Sequence, residues 1–151
     1  MHQPTVAELV GPARILHTMI RVSDLERSLE FYVGLLGMRL LRLRDFPEDR
    51  YSLAFVGYGP ESTTAVIELT HNWGKHDYEH GTGWGHIALG VANVRQATSA
   101  LGAAGVAVVR PAGPLKGDAL ETIAFIEDPD GYRIELVEQP TADGLCWTQL
   151  L

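Results

Sequence analysis

The sequence contains very little cysteine: a single residue, Cys146, among 151. One thiol cannot form an intramolecular disulfide, so the chain does not fit the disulfide-stabilised secreted class, and a reducing, cytoplasmic location is expected. Cys146 lies in a C-terminal stretch without other motifs. We therefore interpret it as a packed or tail thiol rather than a nucleophile.

Basic charge is also scarce, because 12 Lys and Arg face 19 Asp and Glu, for a net charge of −7. Nucleic-acid-binding proteins and proteins that bind anionic membranes usually carry a basic face, so neither class of partner is expected. No apolar run approaches the roughly 20 residues of a membrane-spanning helix. The N-terminus also lacks the basic start and apolar stretch of a secretory signal.

The remaining composition is that of an ordinary globular protein, with 46% apolar and 21% charged residues. The length is sufficient for one domain, or for two small half-domains, with a substantial core. We predict an N-terminal tail over residues 1–13, a domain over 14–138, and a C-terminal tail over 139–151.

The domain nearly repeats itself, with a histidine opening each half and a glutamate closing it. His17 begins HTMIRV and Glu68 lies in VIEL, whereas His86 begins HIALGV and Glu135 lies in RIEL. The separations are 68 − 17 = 51 and 135 − 86 = 49 residues. Two copies of one unit can thus place one imidazole and one carboxylate at matching points.

Hydrophobic periodicity gives both halves the same order of elements. The first half is predicted as strand 14–22, helix 23–37 and strands 38–45, 51–59 and 64–72. The second half is predicted as strand 85–91, helix 93–105 and strands 106–111, 121–128 and 131–139. Ser23 and Glu26 have the spacing of a capping box for the first helix. The fold class is therefore α+β, with two tandem βαβββ modules over about 14–72 and 84–138.

The helices and the last hairpin carry further signals. Apolar positions predict one buried face on each helix, formed by Leu25, Leu29, Tyr32, Val33 and Leu36 in the first and by Val94, Ala97, Leu101 and Ala104 in the second. The DPDG at 128–131 is typical of a tight turn between the last two strands.

Strand alternation separates the repeated histidines and glutamates from their apolar neighbours. His17, Glu68, His86 and Glu135 each alternate with apolar residues or glycine, which predicts that they share the concave, polar face of their sheets. Two neutral imidazoles and two carboxylates suit a divalent cation such as nickel, cobalt, zinc or iron, whose charge they balance. Coordination positions left to water or substrate would make such a site catalytic.

Other histidines offer an alternative cluster. His71, His76 and His80 lie in HNWGKHDYEHGTGWG, a segment predicted to be a loop. A lone histidine is more often satisfied locally than bound to a metal, and we favour solvated or substrate-side roles for these three.

Long strings of the chain resemble the glyoxalase I family of the vicinal-oxygen-chelate superfamily. They are LHTMIRVSDLERSLEFYVGLLGMRLLR, YSLAFVGYGPE, AVIELTHNWG, GHIAL and AFIEDPDGYRIEL, within residues 14–138. The resemblance implies the same paired βαβββ fold and one divalent metal per subunit, held by His17, Glu68, His86 and Glu135. Histidine at position 17 is similar to the bacterial nickel- or cobalt-activated class, because the zinc-preferring class usually has glutamine there.

The resemblance also implies an activity, lyase-type isomerisation of the methylglyoxal–glutathione hemithioacetal to S-lactoylglutathione. The implied catalytic residues are Glu135 as the base, with Glu68 as the alternative from the symmetric position. The implied substrate-binding residues are Arg21, Asn72, His86 and Lys116. Family members are usually homodimers whose active sites lie between subunits, so a homodimer is expected.

Other functions on this fold stay open from the sequence. They include extradiol dioxygenases, an epimerase, thiol transferases and non-catalytic proteins that bind small ligands. Four candidate ligands argue against the dioxygenase pattern of two histidines and one glutamate, and non-catalytic members generally lack the full set. The native metal, the thiol and the dominant base are not determined by the sequence.

Overall fold

Two four-stranded sheets form the framework of the protein, and the computed structural model describes residues 3–139. The first sheet contains β1 (His17–Arg21), β2 (Arg39–Phe46), β3 (Tyr51–Gly57) and β4 (Val66–Asn72). The second contains β5 (His86–Val91), β6 (Ala107–Leu115), β7 (Asp118–Glu127) and β8 (Arg133–Glu138). The helices are α1 (Val6–Val10), α2 (Leu25–Leu29), which continues as a π-helix over Glu30–Leu35, and α3 (Val94–Ala103).

The two sheets have the same topology. Their strand orders are β1-β4-β3-β2 and β5-β8-β7-β6, and the first and last strands of each module pair in parallel. The other neighbours are antiparallel, including the β7–β8 hairpin closed by the predicted turn at 128–131. The predicted α+β fold of two βαβββ modules is confirmed.

The N-terminus of α2 differs from the predicted capping box. Asp24, not Ser23, caps the helix by accepting a hydrogen bond from the backbone N–H of Arg27. Ser23 is instead drawn away, because both its N–H and its hydroxyl donate to Asp130 of the second module. A contact distant in sequence therefore replaces the local one.

The predicted apolar faces of the helices mostly pack into the core. Tyr32 and Val94 are fully buried, and Leu101 is nearly so. Ala104 is exposed, contrary to the prediction, because α3 ends at Ala103 and the next residue serves as its C-cap. Asn93 caps the start of this helix by accepting from the N–H of Gln96.

The N-terminal tail is described from residue 3 onward, whereas the C-terminal tail is described only at residue 139. The N-terminal tail contains the unpredicted helix α1, whose apolar residues Val6, Leu9 and Val10 are exposed. The C-terminal tail from residue 140 onward, with Cys146, lies outside the described residues. Within the described part, no helix is long and apolar enough to cross a membrane.

A buried polar network joins the two modules. The hydroxyl of Tyr32 donates to Oδ2 of Asp128 at 2.7 Å, and Oδ1 of Asp128 accepts from the backbone N–H groups of Asp130 and Tyr132. Burial raises the pKa of Asp128 and, most strongly, that of Tyr32. The network lies within one continuous apolar core to which both modules contribute, so it fixes their mutual orientation.

We expect Tyr32→Phe to lower the free energy of unfolding by about 1–3 kcal/mol, because the buried Asp128 carboxylate loses a hydrogen-bond donor. Urea unfolding at fixed protein concentration measures the change. The control is Tyr58→Phe, which removes a hydroxyl at the surface that donates to the Leu36 carbonyl. Equal decreases in the free energy of unfolding of the two variants would show that the Tyr32–Asp128 hydrogen bond stabilises the protein no more than the surface bond of Tyr58.

Candidate metal centre

The first pair of predicted ligands lies across the parallel β1–β4 contact. His17 opens β1, and Glu68 lies on the adjacent β4 in register with Met19. The Nε2 atom of His17 is 2.8 Å from Oε2 of Glu68, and the two side chains are 38% and 14% exposed. The other carboxylate oxygen of Glu68 accepts a hydrogen bond of 3.3 Å from the hydroxyl of Thr70.

The second pair repeats this geometry across β5 and β8. Nε2 of His86 is 3.0 Å from Oε2 of Glu135, and these side chains are 41% and 16% exposed. Glu135 is in register with Ala88, two residues after the histidine, as in the first module. Each pair is therefore accessible at the imidazole and more sheltered at the carboxylate.

A phenylalanine lies beside each histidine, and neither was predicted from the sequence as part of the site. Phe55 meets the ring of His17 edge-on at 5.6 Å, and Phe125 meets that of His86 at 5.2 Å. Each phenylalanine is also in register with the glutamate of its own module. The signal was present in the repeated strings LAFV and IAFI, which contain these residues at matching positions.

The next strand of each sheet places an arginine in register with this phenylalanine. The guanidinium of Arg42 lies 3.5 Å above the ring of Phe55, and Glu61 accepts two hydrogen bonds from it at 2.8 and 3.1 Å. Arg110 is in register with Phe125 but donates to a carbonyl of its own strand at 2.7 Å. The two surroundings therefore differ.

The two pairs remain separate within one chain. Among residues 3–139, no three or more His, Cys, Asp or Glu side chains come together as a group that could hold a metal. Each chain thus presents two half-sites, which we name the first half-site (His17 and Glu68) and the second half-site (His86 and Glu135). Together their donors, two imidazoles and two carboxylates, fit a divalent cation in charge and in ligand type.

The alternative histidine cluster does not form in the described part of the chain. Nδ1 of His71 is 3.1 Å from the carbonyl oxygen of Val22, and His80 stacks on Tyr132 with ring centroids 4.0 Å apart. His76 is exposed in the loop between β4 and β5. His71 and His80 therefore make separate local contacts, and His76 is exposed.

The predicted substrate-binding residues are divided between the sheets. Arg21 ends β1 and Asn72 ends β4, so both lie at the same end of the first sheet, where Asn72 donates to the hydroxyl of Tyr78. His86 belongs to the second half-site, and Lys116 lies exposed at the turn between β6 and β7. One chain thus supplies these predicted groups in two sets, as it does the two candidate metal-ligand pairs.

Two cavities flank the sheets. One of about 500 Å³ opens beside the second half-site and is lined by His86, Phe125, Glu127 and Arg133, together with Trp84. A larger one of about 630 Å³ lies between the modules, but its lining comes from neighbours of the ligands that alternate to the other face, such as Thr18, Ile67 and Ile87. Of these two cavities, the smaller one therefore lies beside candidate metal ligands.

The chain is similar in sequence to known lactoylglutathione lyases. The chain is 58% identical over 129 residues to the lactoylglutathione lyase of Escherichia coli O157:H7, covering 85% of this chain and 95% of that protein. It is 54% identical over 133 residues to the lactoylglutathione lyase of Haemophilus influenzae, with coverages of 87% and 98%.

Solved structures show the same similarity. Glyoxalase I from Zea mays superposes with a TM-score of 0.81 at 42% identity, covering 85% of this chain, which spans only 45% of the maize chain. The trypanothione-dependent glyoxalase I of Leishmania major gives a TM-score of 0.75 at 45% identity, with coverages of 83% and 86%.

The family profile described as "Glyoxalase/Bleomycin resistance protein/Dioxygenase superfamily" matches residues 14–136. This match spans both modules and all four residues of the two half-sites. The chain therefore belongs to the glyoxalase/bleomycin resistance protein/dioxygenase superfamily.

Proposed function

We propose that the chain is a lactoylglutathione lyase, which isomerises the hemithioacetal of methylglyoxal and glutathione to S-lactoylglutathione and thereby detoxifies methylglyoxal. The observation that carries this proposal is the repeated His–Glu pair on the open face of each sheet. It occurs in a chain 58% identical to a lactoylglutathione lyase over nearly that protein's whole length.

We further propose that one divalent metal, nickel or cobalt in preference to zinc, is held by two half-sites from different subunits of a homodimer. His17 and Glu68 of one subunit would be joined by His86 and Glu135 of the partner subunit. Support comes from the separation of the two pairs within one chain. When bound, such a cation supplies Lewis acidity that makes the substrate C–H bond next to a polarised oxygen acidic.

The proton is moved by the protein. In this proposal, the Glu135 carboxylate removes the proton from C1 of the hemithioacetal and returns it to C2, and the hydroxyl proton passes to the neighbouring oxygen. Glu68 is the alternative base. Arg21, Asn72, His86 and Lys116 would bind and orient the thiol adduct, with the arginine and lysine suited to its carboxylates.

The thiol is a separate part of the proposal. Glutathione is favoured by the similarity to lactoylglutathione lyases, whereas the Leishmania major relative is described as trypanothione-dependent. We also place the activity in the cytoplasm, because a chain with one cysteine fits a reducing compartment.

We expect apoprotein reconstituted with nickel or cobalt to form S-lactoylglutathione from methylglyoxal and glutathione, measured by thioester absorbance. Zinc should restore less activity. Trypanothione in place of glutathione tests the thiol, and an epimerase or thiol-transferase substrate tests the other activities on this fold. If no S-lactoylglutathione forms with nickel, cobalt or zinc, the lyase assignment is contradicted. Full activity with zinc alone would contradict only the proposed metal class.

The roles of the two glutamates can be separated by isosteric substitution. We expect Glu135→Gln to lower turnover by about 10²–10⁴-fold, the usual contribution of general acid–base catalysis, because the amide cannot accept the proton. Glu68→Gln should lower it less. Metal content must be measured in both variants, and the reverse order of losses at equal metal content would identify Glu68 as the base.

Mixing two inactive variants tests the shared site. In a heterodimer of His17→Ala with Glu135→Ala, one composite site carries both substitutions and the other carries neither. Activity should therefore return after subunit exchange, up to the level expected for one intact site in each heterodimer. The matched control mixes His17→Ala with Glu68→Ala, which damage the same half-site and should not complement. Absence of recovery in the first mixture, with exchange verified by mass, would argue against ligands from two subunits.

A further inference from the structure

The repeated half-sites differ in the hydrogen bond made by their glutamates. Glu68 uses one oxygen towards His17 and accepts from the Thr70 hydroxyl with the other. In the second module the matching position, two residues after Glu135 on the same strand face, is Val137. Valine has no hydroxyl, so the Glu135 carboxylate lacks the restraint that Thr70 gives to Glu68.

The aromatic neighbours of the histidines differ in the same sense. Phe55, only 3% exposed, is covered by Arg42, and the guanidinium is itself fixed by two hydrogen bonds to Glu61. Among the described residues, Arg110 of the second module makes no carboxylate contact and leaves one buried guanidinium nitrogen without a partner. The ring beside His17 is thus clamped by an ion pair that the ring beside His86 lacks.

We infer that the first half-site is a fixed arm and the second a movable arm, and that Thr70 and Arg42 are positioning residues for the fixed arm. This inference rests on the proposed function. A carboxylate with a second hydrogen bond costs more to displace than one without it. Groups that orient metal ligands from behind also affect metal affinity, commonly by 10- to 100-fold.

In this inference, the difference gives the two glutamates different roles although they occupy equivalent positions. Glu135 acts as the base, and Glu68 stays in place as a ligand. The base must leave its resting position to reach the substrate carbon and then return. Among the described residues, no hydroxyl holds the Glu135 carboxylate from the side away from His86, whereas Glu68 would have to break its contact with Thr70. The surroundings, rather than the ligands, therefore select Glu135 for proton transfer.

Exchanging the two positions tests the inference. We expect Thr70→Val to speed transfer of bound nickel or cobalt to a chromogenic chelator by about tenfold, since an outer hydrogen bond is lost. Val137→Thr should leave that rate unchanged or slower, and should lower kcat with little change in KM because Glu135 is now restrained. In the double variant Thr70→Val/Val137→Thr, adding Glu68→Gln should lower turnover more than it does in the wild-type background. Adding Glu135→Gln should lower turnover less than it does in the wild-type background.

Arg42→Met provides an independent test, with Arg110→Met as its matched control in the second sheet. Loss of the clamp on Phe55 should again speed metal transfer, and Arg42→Lys should restore it only in part because the bidentate contact with Glu61 is lost. Arg110→Met should leave metal transfer unchanged. Thermal unfolding of each apoprotein shows whether any effect is merely a loss of fold.

Two results would overturn the inference. One is equal metal transfer from wild type, Thr70→Val and Arg42→Met. The other is an unchanged kcat in Val137→Thr, with the added hydroxyl confirmed beside Glu135 by a crystal structure. The chelator measurement does not depend on the lyase reaction, so failure of the proposed activity would be distinguishable from failure of the fixed-arm assignment.

Discussion

The parallel pairing of the first and last strands of each module is the constraint on which the candidate site depends. It brings the strand that opens with histidine beside the strand that carries glutamate, although about 50 residues separate them. In both modules the glutamate lies opposite the residue two positions after the histidine, so the same diagonal contact forms twice. The helix and the two intervening strands provide the crossover that parallel pairing requires.

The orientation of the two modules determines whether the two His–Glu pairs can meet within one chain. Tyr32, Asp128 and the turn after β7 join the modules through buried hydrogen bonds, and the apolar core is continuous between them. In this orientation the two half-sites do not meet. Breaking the network would leave a buried carboxylate without its partner, so closing the two half-sites onto each other within one chain would carry a substantial cost. In the proposed homodimer, a second chain would supply the remaining candidate ligands without that cost.

The sequence was sufficient to predict the order of the elements, because each module has regular periodicity and the repeat checks one half against the other. It also predicted that His17 and Glu68, and likewise His86 and Glu135, share a sheet face. The residue pattern did not predict the π-helix or the Asp24 cap, and it left open whether the two candidate ligand pairs meet within one chain or between subunits. The Asp24 cap accompanies a contact between modules, that of Ser23 with Asp130, which local patterns do not contain. Phe55 and Phe125 were missed because a phenylalanine in a strand is ordinarily core.

For the proposed reaction, an internal repeat poses a chemical problem that the inferred positioning residues address. Duplication supplies two equivalent carboxylates, yet a proton transfer at one carbon needs one base and one spectator. In the proposed metal site, changing a ligand would weaken binding, since four donors balance a divalent charge. Changes at Thr70 and Val137, or at the partners of Arg42 and Arg110, leave the donors intact and alter only their freedom. Different residues beside equivalent candidate ligands can therefore make a repeated module asymmetric without changing the donors.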